Sequence, residues 1–507
     1  MITYDNISAI YSAGFFLSGI LNNKIWTNGV VSGASVNDYL PGSVGSESTQ
    51  KNNKIYPLFS TDEPFSKNWH EWKKAVAQGA TYYDGDKNGK YDPIDHNGNG
   101  MWEINEDRPG LMYDQTYFTI YNDAVPEGRR RFNGVEPLGI EIRQTIFATE
   151  NLFGLDKTVF IRYSIFNTGL KADTLKEVIF SIWLDPDLGN HEDDLVGCDT
   201  LLNSGFTYNE GPDLLFGEKP PVLYSTFIQT PIEYTGDIKD TAVIRYDNLT
   251  EERKFPGYVN TKFIAHTNYY TLPWGYETNK ETERNRMLGK HFWGDIIDPC
   301  LWQLGEVFND DCIRINPLFW YSGDPVSNSG WLNTSSTDQR QLISTGLFEL
   351  VKDQPQDIIV AYTFGEGYNN VPAFAVTRER VKEVFREYNA NFPNSFVLSD
   401  LPNDPERLSY NFTLEQNFPN PFNPTTTIRY SIKGTNYLAN PQNNELLDTQ
   451  MIVYDVMGRK ITTLVNEPKA PGTYEITFDA SQLASGVYFY RLQSGSFMQT
   501  KKMILLR

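Results

Sequence analysis

"TVFIRYSIFNTG", Thr158 to Gly169, is the stretch on which the fold class turns. Its residues alternate with period two. Phe160, Arg162, Ser164 and Phe166 fall on one side of an extended chain, and Ile161, Tyr163 and Ile165 on the other. Asn167, Thr168 and Gly169 then supply a tight turn. The same grammar recurs on both sides, in "TYFTIYND", "GIEIRQTIFAT" and "EVIFSIWLD", and earlier in "KIWTNGVVSG". Strands of this length, regularly spaced and separated by turn signals, predict a β-sandwich from about Met112 to Phe364.

Three segments break the period. "SKNWHEWKKAVAQG" predicts a helix from Ser66 to Gly79, with Ser66 as cap, Trp69, Trp72 and Val76 on one stripe, and Gly79 as the stop. "ETERNRMLGKHFWGD" reads as a helical insertion. "AFAVTRERVKEVFREYNANF", Ala373 to Phe392, reads as an amphipathic helix with Phe374, Val381, Val384 and Phe385 inward and its basic face solvated.

At 507 residues the chain exceeds one ordinary core. The expected division is a β-rich N-terminal region with a short helix and acidic loops (1–111), a β-sandwich (112–392), a linker (393–411) and a C-terminal module (412–507). The linker assignment rests on "PNSFVLSDLPNDPERLSY", which is rich in Pro, Asn, Asp and Ser and has no period. A formal charge of −20 lacks the basic footprint that nucleic acid requires. It suits a protein outside the cell, where calcium neutralises clustered carboxylates.

Cys198, Cys300 and Cys312 are too few for a disulfide framework and lack zinc-site spacing. Cys300 and Cys312 enclose a short loop that an oxidising compartment would bridge, leaving Cys198 as a small buried apolar residue. No run approaches the roughly 20 apolar residues of a membrane span. "MITYDNISAIYSAGFFLSGIL" has no basic start and an interrupted apolar part, so it is not read as a signal peptide; an exported form would have lost its leader.

The final module reads as a compact all-β sandwich: "FTLEQNFPNPFNPTTTIRYSI", "MIVYDVMGRKITTLV", "GTYEITFDASQLASGVYFYRLQSG" and "KKMILLR" are alternating strands separated by Pro-Asn, Met-Gly and Ser-Gly turns. This segment, Phe412 to Arg507, closely resembles the type A C-terminal sorting domain of type IX secretion system substrates. The resemblance rests on Asn417, Pro419, Asn420, Pro421, Phe422, Asn423, Pro424, Thr425, Thr427 and Ile428, and on Tyr454, Asp455, Gly458 and Arg459. It continues through Gly472 and Tyr474, then Leu483, Ser485, Gly486, Val487, Tyr488, Tyr490 and Arg491, and ends at Lys501 and Lys502. A polar insertion, "KGTNYLANPQNNELLDTQ", departs from the pattern and is expected to be a loop.

The resemblance implies an immunoglobulin-like sandwich that the type IX translocon reads. It implies passage across the outer membrane, and release or attachment to surface lipopolysaccharide. Four upstream segments, "GIEIRQTIFA", "FIRYSIFNTG", "WLDPDLGNHEDDLVGCDT" and "YSGDPVSNSGWLN", resemble parts of large secreted surface proteins that carry this domain. That second resemblance implies one coherent unit up to about Phe392 and names no reaction.

Between Asp84 and Asp107 stands "DGDKNGKYDPIDHNGNGMWEINED". An EF-type calcium loop takes oxygens from positions 1, 3, 5, 7, 9 and 12, with Gly at 6. Starting at Asp84, these are Asp84, Asp86, Asn88, the Lys90 carbonyl, Asp92 and Asp95, with Gly89 at the turn. Starting at Asp95, they are Asp95, Asn97, Asn99, the Met101 carbonyl, Glu103 and Glu106, with Gly100 at the turn. Asp95 therefore closes one loop and opens the other, a possible bridge between two ions. Calcium fits better than magnesium, which keeps its water. Pro93 and Pro109 forbid the flanking helices of a true EF-hand, so a rigid structural site is expected.

A second acidic run, "DPDLGNHEDDLVGCD", follows a strand and offers Asp185, Asp187, Asp193 and Asp194, with Asp199. It either holds a third cation or is made of turn-forming and capping aspartates.

Of the five histidines, His70, His96, His191, His266 and His291, none sits in HExxH or beside a GxSxG elbow. The first reading is a noncatalytic, calcium-stabilised surface protein for adhesion, matrix or envelope architecture. The alternative is a carbohydrate-active enzyme or glycan-binding protein using Trp274, Trp293, Trp302, Trp320 or Trp331, against the ordinary role of such rings in a core. A glycosidase pair is defined by spatial separation and is not legible in spacing.

Overall fold

A computed structural model describes residues 2–31, 38–47, 51–150, 154–247, 251–270, 279–367, 372–391, 413–414, 416–417, 419–432, 447–455, 459–469, 472–494 and 497–506. The expected linker falls wholly outside these, as does Trp274. The chain divides into two compact units, residues 1–399 and 400–507.

Thr158–Asn167 is a strand, and its neighbours follow from its alternation. It lies between Ile140–Ala148 and Gln356–Gly365 in a nine-stranded sheet. The order runs Asp194–Asp199, Ser204–Asn209, Val222–Gln229, Gln356–Gly365, Thr158–Asn167, Ile140–Ala148, Gln115–Asn122 and Leu40–Pro41, with Tyr56–Phe59 also on Gln115–Asn122. A six-stranded sheet runs Phe263–Tyr270, Gln339–Thr345, Thr174–Asp185, Ser12–Leu21 and Lys24–Val30, with Phe348–Val351 on Thr174–Asp185.

The two faces of Thr158–Asn167 enter different cores. Ile161, Tyr163 and Ile165 join the main core between the sheets, where the Tyr163 ring lies 5.2 Å from Phe180 and 5.5 Å from Phe15 of the six-stranded sheet. Phe160 points the other way, stacks on Phe147 at 5.1 Å and packs beneath Val384 and Tyr388. Those last two belong to helix α3 (Ala373–Asn391), which covers the outer face. Gln356–Gly365 is consequently buried on both faces, and its apolar run "IIVAYTF" is continuous where other strands alternate. The body is a sandwich with a helix laid over one sheet.

Helix α1 is Lys67–Val76, and Gly79 stops it with φ +97°. Trp69, Trp72 and Ala75 are its buried stripe, whereas Val76 is half-buried. Helix α2 is Lys280–Met287, opened by a reciprocal capping box between Asn279 and Thr282. The basic face of α3 is solvated only in part: Lys382 and Arg386 are exposed and pair within the helix, whereas Arg378 and Arg380 reach other elements. Arg378 pairs with Asp324 at 2.9 Å and Asp199 at 3.4 Å, and Arg380 with Asp156 at 2.7 Å.

The division expected at residue 111 does not separate compact units. Ser12–Leu21 pairs along Thr174–Asp185, and Tyr56–Phe59 along Gln115–Asn122, so the first hundred residues complete both sheets of the sandwich. Local composition marks the acidic loops as different, but long-range pairing makes them an excursion from one body.

Cys300 and Cys312 form a disulfide, and Cys198 is buried with its thiol pushed up by desolvation. Among the described residues no helix is long and apolar enough to cross a membrane.

The second unit has a three-stranded sheet (Thr413–Leu414, Thr425–Ile432, Gly472–Asp479) and a four-stranded one (Lys460–Lys469, Leu447–Asp455, Gly486–Ser494, Phe497–Leu505). Ile428, Tyr430, Phe478, Val453, Tyr490 and Leu492 fill the space between them. The opening motif is a hydrogen-bonded corner. The Asn417 N–H donates to the Tyr490 hydroxyl (2.8 Å), its Nδ2 to Thr426 Oγ1 (2.9 Å), and the Ile504 N–H to Asn420 Oδ1 (2.9 Å). Of the polar insertion, Leu447 to Gln450 belong to a strand and 433–446 lie outside the described residues.

Candidate metal-binding loops and the acidic sheet edge

The two acidic loops are copies of one another, eleven residues apart (95 − 84). Asp84 accepts from the N–H groups of Asn88 (3.0 Å) and Gly89 (2.8 Å), and Asp95 from those of Asn99 (3.3 Å) and Gly100 (2.7 Å). Asp86 takes Asn88 N–H at 3.0 Å, and Asn97 takes Asn99 N–H at 2.9 Å. Asn88 takes Lys90 N–H and Asn99 takes Met101 N–H, both at 2.7 Å. The turn glycines have φ +74° at Gly89 and +77° at Gly100, the left-handed region that side chains resist.

Each loop is also closed by a buried carboxylate. Asp107 accepts from Gly85 N–H (3.0 Å) and Asp92 N–H (2.7 Å). Glu106 accepts from His96 N–H (2.8 Å) and Glu103 N–H (3.0 Å), positions eleven residues on in each case. The closing carboxylate of the first loop is thus Asp107, a residue the spacing rule did not select. Asp95, expected in both loops, keeps its hydrogen bonds within the second. Asp92 is held by Lys73 of α1. Glu103 accepts from Asn97 (2.7 Å) and Asn99 (3.0 Å).

Matching aromatic positions anchor the copies. Tyr91 is buried and donates to Trp69 O of α1 at 3.0 Å; Trp102 is buried beneath Arg108, whose guanidinium lies 4.7 Å from its ring. Rigid walls thus carry loops whose tips are exposed.

One carboxylate oxygen from each of Asp84, Asp86 and Asp107 lies within 4.8 Å of the others. Burial pushes the Asp107 carboxyl up, opposed by its two N–H donors and reinforced by the charges of Asp86 and Asp84. Three like charges so close favour a cation, and a set made only of carboxylate and amide oxygens suits calcium. In the second loop the Gly100 N–H leads the donors that hold Asp95 below its ordinary value.

The second acidic run is split by the structure. Asp185 and Asp187 converge with Asp338, from before the Gln339–Thr345 strand, with one oxygen of each within 4.8 Å of the others. Burial pushes Asp185 up to about 6 against the opposing charge of Arg340, which stands 3.1 Å from Asp185 and 2.9 Å from Asp338. This half already has a cationic partner. Asp193 and Asp194 stand outside that group of oxygens, at the start of the edge strand Asp194–Asp199, where the charge of Asp187 still acts on Asp194. Burial drives the Asp194 carboxyl well above the carboxylate range. Asp199 pairs with Arg378.

His96 and His191 are exposed, and only the His96 main chain touches the loops. His266 is buried with Nδ1 2.6 Å from Trp320 O, and burial lowers its pKa to about 4. Among the tryptophans, Trp320 and Trp331 are core residues, and Trp302 is half-buried and donates to the Tyr321 hydroxyl (2.8 Å). Trp293 is 67% exposed beside Phe292 and His291.

Residues 416–506 match the family model described as "Secretion system C-terminal sorting domain". This is the domain the C-terminal motifs predict, and it marks the chain as a type IX secretion substrate, directed to the cell surface or beyond. No curated protein matches the chain. Among solved structures, a polysaccharide lyase is similar over 72% of this chain and 34% of its own, at 7% identity and a TM-score of 0.16. The chain thus spans about a third of that lyase, and a likeness at this level carries no argument about fold or reaction.

Proposed function

We propose that the exported body is a noncatalytic scaffold for adhesion, matrix or envelope architecture, stiffened by calcium in the tandem loops. The observation that carries this reading is the duplicated loop: two copies with the same hydrogen bonds, a left-handed glycine in each, a buried clamp carboxylate in each, and aromatic anchors. Asp84, Asp86 and Asp107 would hold the first ion. Asp95, Asn97, Asn99 and the Met101 carbonyl would supply the second. Carboxylates that already accept N–H bonds retain further lone pairs for a metal. The interior supports the scaffold reading as well, because the space between the sheets is filled by Phe15, Tyr163 and Phe180.

Thermal unfolding of the full chain in calcium and in chelator tests it. Binding to the native state alone adds about 2.7 kcal/mol per ion at a hundredfold excess over Kd. A melting curve that ignores chelator defeats the reading. The exposed Trp293 supports a second reading, a glycan contact of the same secreted body. Glycan-array binding lost on Trp293→Ala would favour it, and release of reducing sugar would replace the noncatalytic assignment.

A further inference from the structure

We propose that the edge of the nine-stranded sheet holds a further hard divalent cation, calcium, between the carboxylate of Asp194 and the side-chain carbonyl of Asn209. The two residues are direct partners across the antiparallel pair Asp194–Asp199 and Ser204–Asn209, so both side chains leave the same face with Cβ atoms about 5 Å apart. Asp194 is 1% exposed and Asn209 7%.

Leu188 straddles them. Its N–H donates to Asp194 Oδ2 at 3.3 Å, and its carbonyl accepts from Asn209 Nδ2 at 2.9 Å. Asn209 Nδ2 also donates to Asp193 Oδ1 at 2.7 Å. These two acceptors fix the amide, since turning it over would press Oδ1 against two oxygens. What remains is a pair of buried acceptors, Asp194 Oδ1 and Asn209 Oδ1, neither of which has a hydrogen-bond donor among the described residues.

Leaving an ionised carboxylate in such a place is destabilising by several kcal/mol, so the group that belongs there is electron-poor. A proton on Asp194, shared with Asn209, would satisfy both oxygens. A cation does more, because the charges of Asp193, Asp187 and Asp213 also act on this site and one proton neutralises only one carboxylate. Carboxylate and amide oxygens without sulfur or ring nitrogen select calcium over zinc. The Asp185 half of the same run differs, because Arg340 already supplies its positive charge.

The site is independent of the tandem loops, and the test keeps the two apart. Calcium bound per full-length chain is counted by equilibrium dialysis for the wild type, Asp194→Asn, and a loop variant carrying Asp84→Ala and Asp95→Ala. Asp194→Asn is expected to lose about one calcium equivalent, and to melt in chelator no lower than the wild type because an uncompensated buried charge is gone. The loop variant is expected to keep that equivalent. Should Asp194→Asn fail to fold, Asn209→Asp serves: an added carboxylate should raise calcium affinity and lower the melting temperature in chelator. Undiminished calcium stoichiometry in Asp194→Asn, or an Asn209→Asp protein whose melting is no more calcium-dependent than the wild type's, overturns the proposal and leaves a shared proton in its place.

Discussion

The tandem loops and the Asp194 edge are both dense in carboxylates, yet they handle charge in opposite ways. In the loops the acidic side chains of the turns stay near water, the two buried ones, Glu106 and Asp107, each accept two backbone N–H groups from the same loops, and hydrogen bonding is met locally. At the sheet edge the carboxylate is buried by strands from distant parts of the chain, and its donors do not suffice. Local sequence can satisfy a local loop. Burial imposed by tertiary pairing creates a demand that only a partner from elsewhere meets.

The largest way to break this contrast is to remove an anchor. Trp102→Ala should destabilise the body by about 3 kcal/mol or more by urea unfolding, because a buried indole under Arg108 is lost with its bond to Glu106 O (2.9 Å). A change below about 0.5 kcal/mol, typical of a surface substitution, would mean the loops float free of the core. His266 sharpens the buried side. Its folded pKa of about 4 lies below the ordinary 6.5, so its stabilisation is complete above pH 6.5 and is lost as pH falls through 4. The full difference is about 3 kcal/mol. The stability difference between the wild type and His266→Asn should therefore change across that window; parallel pH profiles would show that His266 is not held neutral. The smallest effect belongs to the turns. A Cβ at Gly89 or Gly100 meets nothing within 4 Å, so Gly100→Ala adds only left-handed backbone strain, about 1 kcal/mol. A much greater loss would indicate that the turn packs against something.

What was legible in the sequence follows the same line. Alternation around Phe160 placed both faces of its strand, periodicity placed the first and third helices, and motif order placed the sorting domain, because each signal lies within one element; the helical insertion expected over 281–295 is helix only at Lys280–Met287. The loop spacing was legible too, as far as Asp84, Asp86, Asn88 and their copies. Asp107 escaped because it sits one residue beyond the second loop while closing the first. Asp338 escaped because pairing with a distant strand brings it in, and Asn209 because the register of a hairpin, not a ligand-spacing rule, sets it opposite Asp194. The boundary at 111 failed for the same reason: composition changes there, but Ser12–Leu21 has its partner at Thr174–Asp185.

Gln356–Gly365 lies between Val222–Gln229 and Thr158–Asn167, pairing Gln356 with Ile165 and Tyr362 with Ser225. The middle of the largest sheet is therefore the last of its strands to leave the ribosome. Until it arrives, two half-sheets have no common spine, and loop closure over such separations is slow. A polypeptide built this way leaves its largest sheet without a centre until its last strand is in place.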